Sequence, residues 1–274
     1  MKYIKLILIL FSILVLSCTE KAVIIPDFIA PESDRVVLLE ELTGVRCPNC
    51  PSGAAKVEDL LHLYEGQLVV IAVHGEFDAE PLEESKYDFR SEEAKELEDY
   101  LKPFWGKPSA AINRVANSDG ELGIIGIDTW SSYVEDELNK THQLDIALST
   151  SYNDESRLLE INAGILPLEN LEGNYNISVA ITESHIIDAQ INASVVIPDF
   201  EHMHVFRKML TDVKGDPIGS GLEKNVVINK NYDFILPSDS DLWVAENCHV
   251  VVFVTKIEGD TKHVLQAAEA AFVE

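Results

Sequence analysis

Apolar and polar positions alternate differently in the two halves of this chain. Val36 to Leu42 is a near-continuous apolar run, interrupted by Glu40 and Glu41, and predicts a buried strand. Ala54, Val57, Leu60, Leu61 and Tyr64 then recur at helical spacing, and Gly66 closes that helix. Leu68 to Val73 (LVVIAV) predicts a second buried strand. Ser91 to Leu101 predicts a charged helix with Ala94, Leu97 and Leu101 inward. Ala110 to Val115 predicts a third strand, Asn117 to Gly120 a turn, and Leu122 to Ile125 a short fourth strand. Ile127 to Leu138 predicts a last helix, with Ile127, Trp130, Val134 and Leu138 on one face.

After Lys140 the pattern shortens. Leu144–Ser149, Leu158–Leu166, Tyr175–Ile181, Ser194–Ile197, Val226–Phe234, Val250–Ile257 and Val264–Val273 are strand-like. Turn residues such as Asn153-Asp154, Glu172-Gly173-Asn174 and Glu258-Gly259-Asp260 separate them. Glu201 to Leu210 predicts a short helix or an irregular crossing. About seven short strands with frequent turns predict an antiparallel, immunoglobulin-like sandwich over 141–274.

Between the first strand and the first helix stands Cys47-Pro48-Asn49-Cys50. The order strand, helix, strand, helix, strand, strand, helix, with this pair ending the first strand, predicts a thioredoxin-like α/β domain over 35–140. Two positions match that pattern. Glu41, six residues before Cys47, stands where the fold keeps a buried acid that relays a proton to the second cysteine. Pro108, in Gly106-Lys107-Pro108-Ser109, stands where it keeps a cis-proline facing the sulfurs. Cys47 is expected at the helix N-cap with Pro48 at the first helical position. There the helix dipole and Arg46 would favour its thiolate. Cys47 is then the attacking sulfur and Cys50 the resolving one.

Three chemistries remain open for the pair: thiol–disulfide exchange, a static disulfide in a binding scaffold, or a metal site completed by a histidine such as His74. A zinc ribbon would need a second ligand pair, and the sequence has none at the required spacing. His202 and His204, with His185, could share a metal, but the expectation is surface or structural histidines. Cys248 is expected as a buried small side chain. No metal and no cofactor is therefore expected.

Composition narrows the partners. Of 274 residues, 47 are Asp or Glu and 21 Lys or Arg, a formal charge of -26. Such a surface repels nucleic acid, which is excluded as a partner. The N-terminus reads as a leader. Lys2 and Lys5 precede an apolar stretch from Leu6 to Leu16, shorter than a spanning helix. Ser17-Cys18 resembles a bacterial lipobox, which implies cleavage after residue 17 and lipidation at Cys18. Residues 18–34, with Pro26 and Pro31, read as a tether.

With both halves read, the chain resembles the Omp28-related outer-membrane lipoprotein family. The resemblance rests on LLEELTGVRCPNCP (Leu38 to Pro51), GKPSAAINR (Gly106 to Arg114), HVFRKML from His204 followed by Gly215-Asp216-Pro217, and Trp243 with Asn247-Cys248 running into Val250–Val254. It implies a lipid-anchored outer-membrane protein, on either the periplasmic or the surface face. Envelope or surface proteins would be its partners. It carries the paired cysteines onto Cys47 and Cys50 and the proline onto Pro108. It leaves two functions open: thiol–disulfide exchange, or redox-inert binding and adhesion.

Overall fold

The computed structural model describes residues 34–238 and 241–273. The leader, Cys18 and most of the tether lie outside the described residues. Within them the chain forms thirteen strands and three α-helices. The first half supplies β1 (Val37–Leu42), α1 (Cys50–Leu63), β2 (Leu68–Val73), α2 (Glu92–Tyr100), β3 (Ser109–Ile112) and α3 (Trp130–Leu138). The second supplies β4 (Leu144–Asn153), β5 (Leu158–Pro167), β6 (Leu171–Glu183), β7 (Ile186–Asn192), β8 (Val195–His202), β9 (Val205–Met209), β10 (Asp216–Leu222), β11 (Ile228–Ile235), β12 (Cys248–Glu258) and β13 (Thr261–Ala271).

One mixed sheet runs through both halves in the order β13-β12-β6-β9-β2-β1-β3, with β10 paired to β6. β1 and β2 are parallel, in register from Val37 opposite Leu68 to Leu42 opposite Val73. β9 joins β2 through Ala72 opposite Val205, and lies antiparallel to β6. A three-stranded sheet, β11-β5-β4, packs over the second half, and β7-β8 is a separate hairpin.

The expected fold class is corrected here. The chain is not an α/β thioredoxin-like domain followed by an immunoglobulin-like sandwich. Strands from both halves hydrogen-bond into one predominantly β structure, and β6, β12 and β13 belong to that common sheet. Apolar periodicity marks a segment as extended, but it carries no information on which distant strand it pairs with. Glu201 to Leu210 is also corrected. It is extended, because Val205, Phe206 and Met209 are buried where β9 fills the sheet between β2 and β6.

Burial explains the pairing. β1 and β2 are buried at every position, as strands covered on both faces must be. Leu38 and Leu42 of β1 pack with Ala94, Leu97 and Leu101 of α2, in a core that continues into Phe206, Val251 and Phe253. Val37 and Leu39 face the other way, toward Val57 and Leu60 of α1 and Trp130 and Val134 of α3. Further along the sheet, Ile177, Val179, Ile181, Val250 and Val252 meet Leu159, Ile161 and Ile165 of the smaller sheet.

Candidate functional site

The paired cysteines lie on the loop between β1 and α1. The Thr43 N–H donates to the Val73 carbonyl at 3.1 Å, and Cys47 N–H donates to Gly44 O at 3.1 Å, turning the chain. The Gly44 position touches a neighbouring loop, since a Cβ there would lie 2.3 Å from Asp78 O. α1 begins at Cys50, with Asn49 at the N-cap and Pro51 in the first turn. This differs from the expectation for Cys47 and Pro48, which precede the helix. Pro51 is the residue suited to that first turn, because it has no N–H to lose. Arg46 is held by the loop after β2. Its guanidinium donates to Glu80 O at 2.8 Å and Pro81 O at 2.5 Å.

Cys47 and Cys50 are joined in a disulfide. Both are buried, Cys47 to 0% exposure. In this oxidised form the pair offers no thiolate to a metal. Among the described residues, no group of three or more His, Cys, Asp or Glu is placed to hold a metal ion.

Glu41 and Pro108 are brought to the same place. The Lys107–Pro108 bond is cis. Gly53, one turn into α1, is the point of contact: a Cβ there would lie 2.7 Å from Pro108 Cβ and 2.8 Å from Glu41 Oε1. Glu41 is buried, and its Oε1 has no hydrogen-bond partner among the described residues. Burial alone pushes its carboxyl up to about 8, so it is neutral at pH 7. The Lys107 side chain, one residue before Pro108, is buried, paired to Glu98 and donating to Phe77 O at 2.6 Å.

The lid over the disulfide was not foreseen. The β7–β8 hairpin lies against the cysteine loop. Gln190 Nε2 donates to Cys47 O at 3.1 Å and Gly44 O at 3.2 Å. The Ile191 N–H donates to Val45 O at 2.9 Å, and the Ala193 N–H to Pro48 O at 2.8 Å. Asp188 anchors the hairpin by accepting from the Lys86 and Tyr87 amides at 2.8 and 3.1 Å. Half a signal for it exists: Asn192-Ala193-Ser194 precedes the apolar run Val195–Ile197, as a hairpin turn does.

The candidate histidines fall into two pairs, His74 with His202 at 5.8 Å between ring centroids, and His185 with His204 on one concavity beside Glu41 and Pro51. His74 and His202 are buried against Phe89, with ring centroids 5.0 and 4.8 Å from it. Burial lowers both; His202 falls to about 4, opposed by nearby Asp188. His204 and His185 pair instead with Glu58 at 3.8 Å and Glu201 at 2.7 Å. Cys248 is fully buried, and burial raises its thiol well above the usual range.

No curated protein matches this sequence. Among solved structures, the chain is similar to HBP35 of Porphyromonas gingivalis, with a TM-score of 0.67 at 14% identity, covering 88% of this chain and 76% of that one. It is also similar to an Agrobacterium tumefaciens protein, with a TM-score of 0.56 at 12% identity, covering 89% and 97%. At these identities the likeness concerns the fold, and each match spans both halves of the chain. The profile of the family described as outer membrane protein Omp28 matches residues 95–274, well over half of the sequence and beyond the paired cysteines. The chain belongs to the Omp28 family of outer membrane proteins.

Proposed function

We propose that this outer-membrane protein is a lipid-anchored binding scaffold in which the Cys47–Cys50 disulfide is a closed cross-link. The observation that carries this reading is the cover over Cys47. Disulfide exchange requires an incoming thiolate to reach a sulfur. Here Cys47 is 0% exposed, and the flanking carbonyls of Val45, Cys47 and Pro48 are bonded to β7 and the turn after it. The anchor is read from the sequence, with Ser17-Cys18 closing an apolar leader. No described helix is long and apolar enough to cross a membrane. Partners on this reading are envelope or surface proteins.

Reduction potential tests it. A structural disulfide should have a potential below about -300 mV. Cys50→Ala, which leaves Cys47 unpaired, should trap no envelope protein as a mixed disulfide. A potential near those of exchange catalysts, together with trapped partners, would overturn the closed-cross-link reading. Palmitate labelling lost in Cys18→Ser tests the anchor separately.

One observation favours exchange as a second reading. Glu41 keeps a neutral carboxyl, with one oxygen unpartnered, against Gly53 and Pro108. In the oxidising direction, a partner thiolate would attack the Cys47 sulfur and expel the Cys50 thiolate, which takes a proton from Glu41. A second partner thiolate would then attack the partner's sulfur in the mixed disulfide, releasing Cys47 and leaving the partner oxidised. This sequence requires the hairpin to lift first.

A further inference from the structure

A cluster of positive charge in this acidic chain lies away from the disulfide. A cavity of about 880 Å³ opens where the β12–β13 turn meets the end of α2 and the loops after β3 and β9. Lys102, Arg114, Lys140, Lys214 and Lys262 line it, with Asp260 as the only carboxylate. Five of the chain's 21 cationic side chains thus share one concavity, while 47 acids populate the sequence as a whole.

Pairing takes up three of the five charges. Lys102 is held by Asp99 at 2.6 Å, Lys140 by Glu137, and Arg114 by Glu40. Lys214 and Lys262 have no ion pair among the described residues. The Lys262 ammonium donates to the Tyr100 carbonyl and sits 4.0 Å from the centroid of that ring. Burial lowers its affinity for a proton, and Arg114 and Lys214 lower it further by repulsion, against the opposing pull of Glu40 and Asp260. Arg114 itself is 1% exposed. Its Nε and Nη2 engage Glu40, but Nη1 has no hydrogen-bond partner among the described residues. A buried donor left without a partner is costly, and an anion would satisfy it. Asn113 and Arg114 take φ of 44° and 54°, and this left-handed backbone turns Arg114 inward at the end of β3.

We propose that this cavity binds a phosphomonoester, with Arg114 at its floor and Lys214 and Lys262 at its mouth. A compact dianion suits the two unpaired ammoniums of Lys214 and Lys262, with the one Arg114 N–H that Glu40 leaves unbonded as a further donor. The volume exceeds that of a bare phosphate ion, so the phosphate is carried on a larger group. Two sources share this chemistry: a soluble sugar phosphate and a phosphorylated lipid headgroup. The acidic surround excludes a polyanion such as nucleic acid, whose further phosphates would meet carboxylates. The inference stands whether or not the disulfide turns over.

The test is calorimetric titration of the full-length protein with inorganic phosphate, glucose 1-phosphate and dihexanoyl phosphatidic acid. Binding of either organic ligand, with inorganic phosphate weaker, is expected. The tighter of the two identifies the source. Lys214→Glu/Lys262→Glu should weaken binding by about tenfold or more, since each lost charged hydrogen bond is worth about that factor. Lys224→Glu/Lys230→Glu changes the net charge equally and should leave affinity within about twofold of wild type. Lys262 also holds Tyr100, so Lys262→Glu should lower the melting temperature somewhat; Lys214→Glu alone, at an exposed lysine, should leave the melt unchanged and still weaken binding. No binding of any of the three ligands overturns the proposal. So does a loss of equal size in the two double variants, which would reduce it to a general field effect.

Discussion

Glu40 and Glu41 are adjacent on β1, yet their side chains enter opposite faces of the sheet and are neutralised by different means. Glu40 faces α2. It accepts two hydrogen bonds from Arg114, at 2.7 and 2.8 Å, and that guanidinium lies 4.8 Å from the Phe253 centroid and 5.3 Å from that of Tyr100. Glu41 faces α1 and the paired cysteines, with one oxygen unpartnered. Its charge is removed by a proton. An acid neutralised by a fixed cation holds structure together over a wide pH range. An acid neutralised by a proton makes stability depend on pH.

The comparison breaks most visibly at Arg114. Replacing it with Met leaves Glu40 buried without its counter-charge, and that should destabilise the fold by about 3–5 kcal/mol. Combining Arg114→Met with Glu40→Leu should recover most of the loss, because an apolar pair avoids the desolvation of both ions. Urea unfolding at pH 7 measures both. A double variant as unstable as the single would show that Arg114 acts mainly through its aromatic contacts.

The Glu41 face should respond to pH instead. Its carboxyl titrates near the usual 4.5 when unfolded and near 8 when folded. Between those values the folded state holds one more proton, so stability falls as pH rises. The decline should be on the order of 2–4 kcal/mol from pH 5 to pH 8.5. Glu41→Gln should flatten it and be the more stable protein at pH 8.5. Equal slopes in the two proteins would mean that Glu41 is already ionised in the fold.

Glu137 sharpens the contrast by giving the opposite sign. Arg35 at 3.2 Å, Asn113 and His263 at 2.9 Å, and Lys140 surround it. Although burial opposes ionisation, the bonds from His263, Lys140 and Asn113 bring its carboxyl down to about 2. Its contribution is present above pH 4.5 and is lost as pH falls toward 2. After allowance for solvent screening it should be on the order of 1–2 kcal/mol. His263→Gln should reduce that acid-side loss in thermal melts taken from pH 2 to 5.

Much of this was legible in local sequence. The strand at Val37–Leu42, the three helices and the turn carrying Cys47 and Cys50 follow from apolar spacing and from glycine and proline placement. Glu41 and Pro108 do meet, at Gly53. What was not legible depends on contacts distant in sequence. Ala72 meets Val205, and that one bridge joins sheets expected to be separate. Arg114 meets Glu40 across 74 residues, and nothing near Arg114 in the sequence announces it. The hairpin over Cys47 was half-visible. Ser194 to Ile197 reads as a strand, but Ile186 to Asn192 is broken by Asp188 and Gln190, two polar side chains buried because they bond loop amides and carbonyls.

Gln190 is therefore the residue at which the closed face can be opened with least damage. Its amide donates to Cys47 O, Gly44 O and Ile191 O, at 3.1, 3.2 and 2.9 Å. The hairpin keeps its backbone bonds from Ile191 and Ala193 when this side chain is removed. Gln190→Ala should thus loosen the cover without unfolding the sheet, at about 2 kcal/mol for the two hydrogen bonds lost to the cysteine loop. If local opening limits access to the sulfurs, that energy corresponds to about thirtyfold faster reduction by a soluble phosphine. Alkylation of the released thiols, followed by gel mobility, gives the rate. Global stability should change by a similar small amount, so the rate at low denaturant separates local from global opening. An unchanged rate would mean that the disulfide is reached by another route, and that the hairpin does not control it.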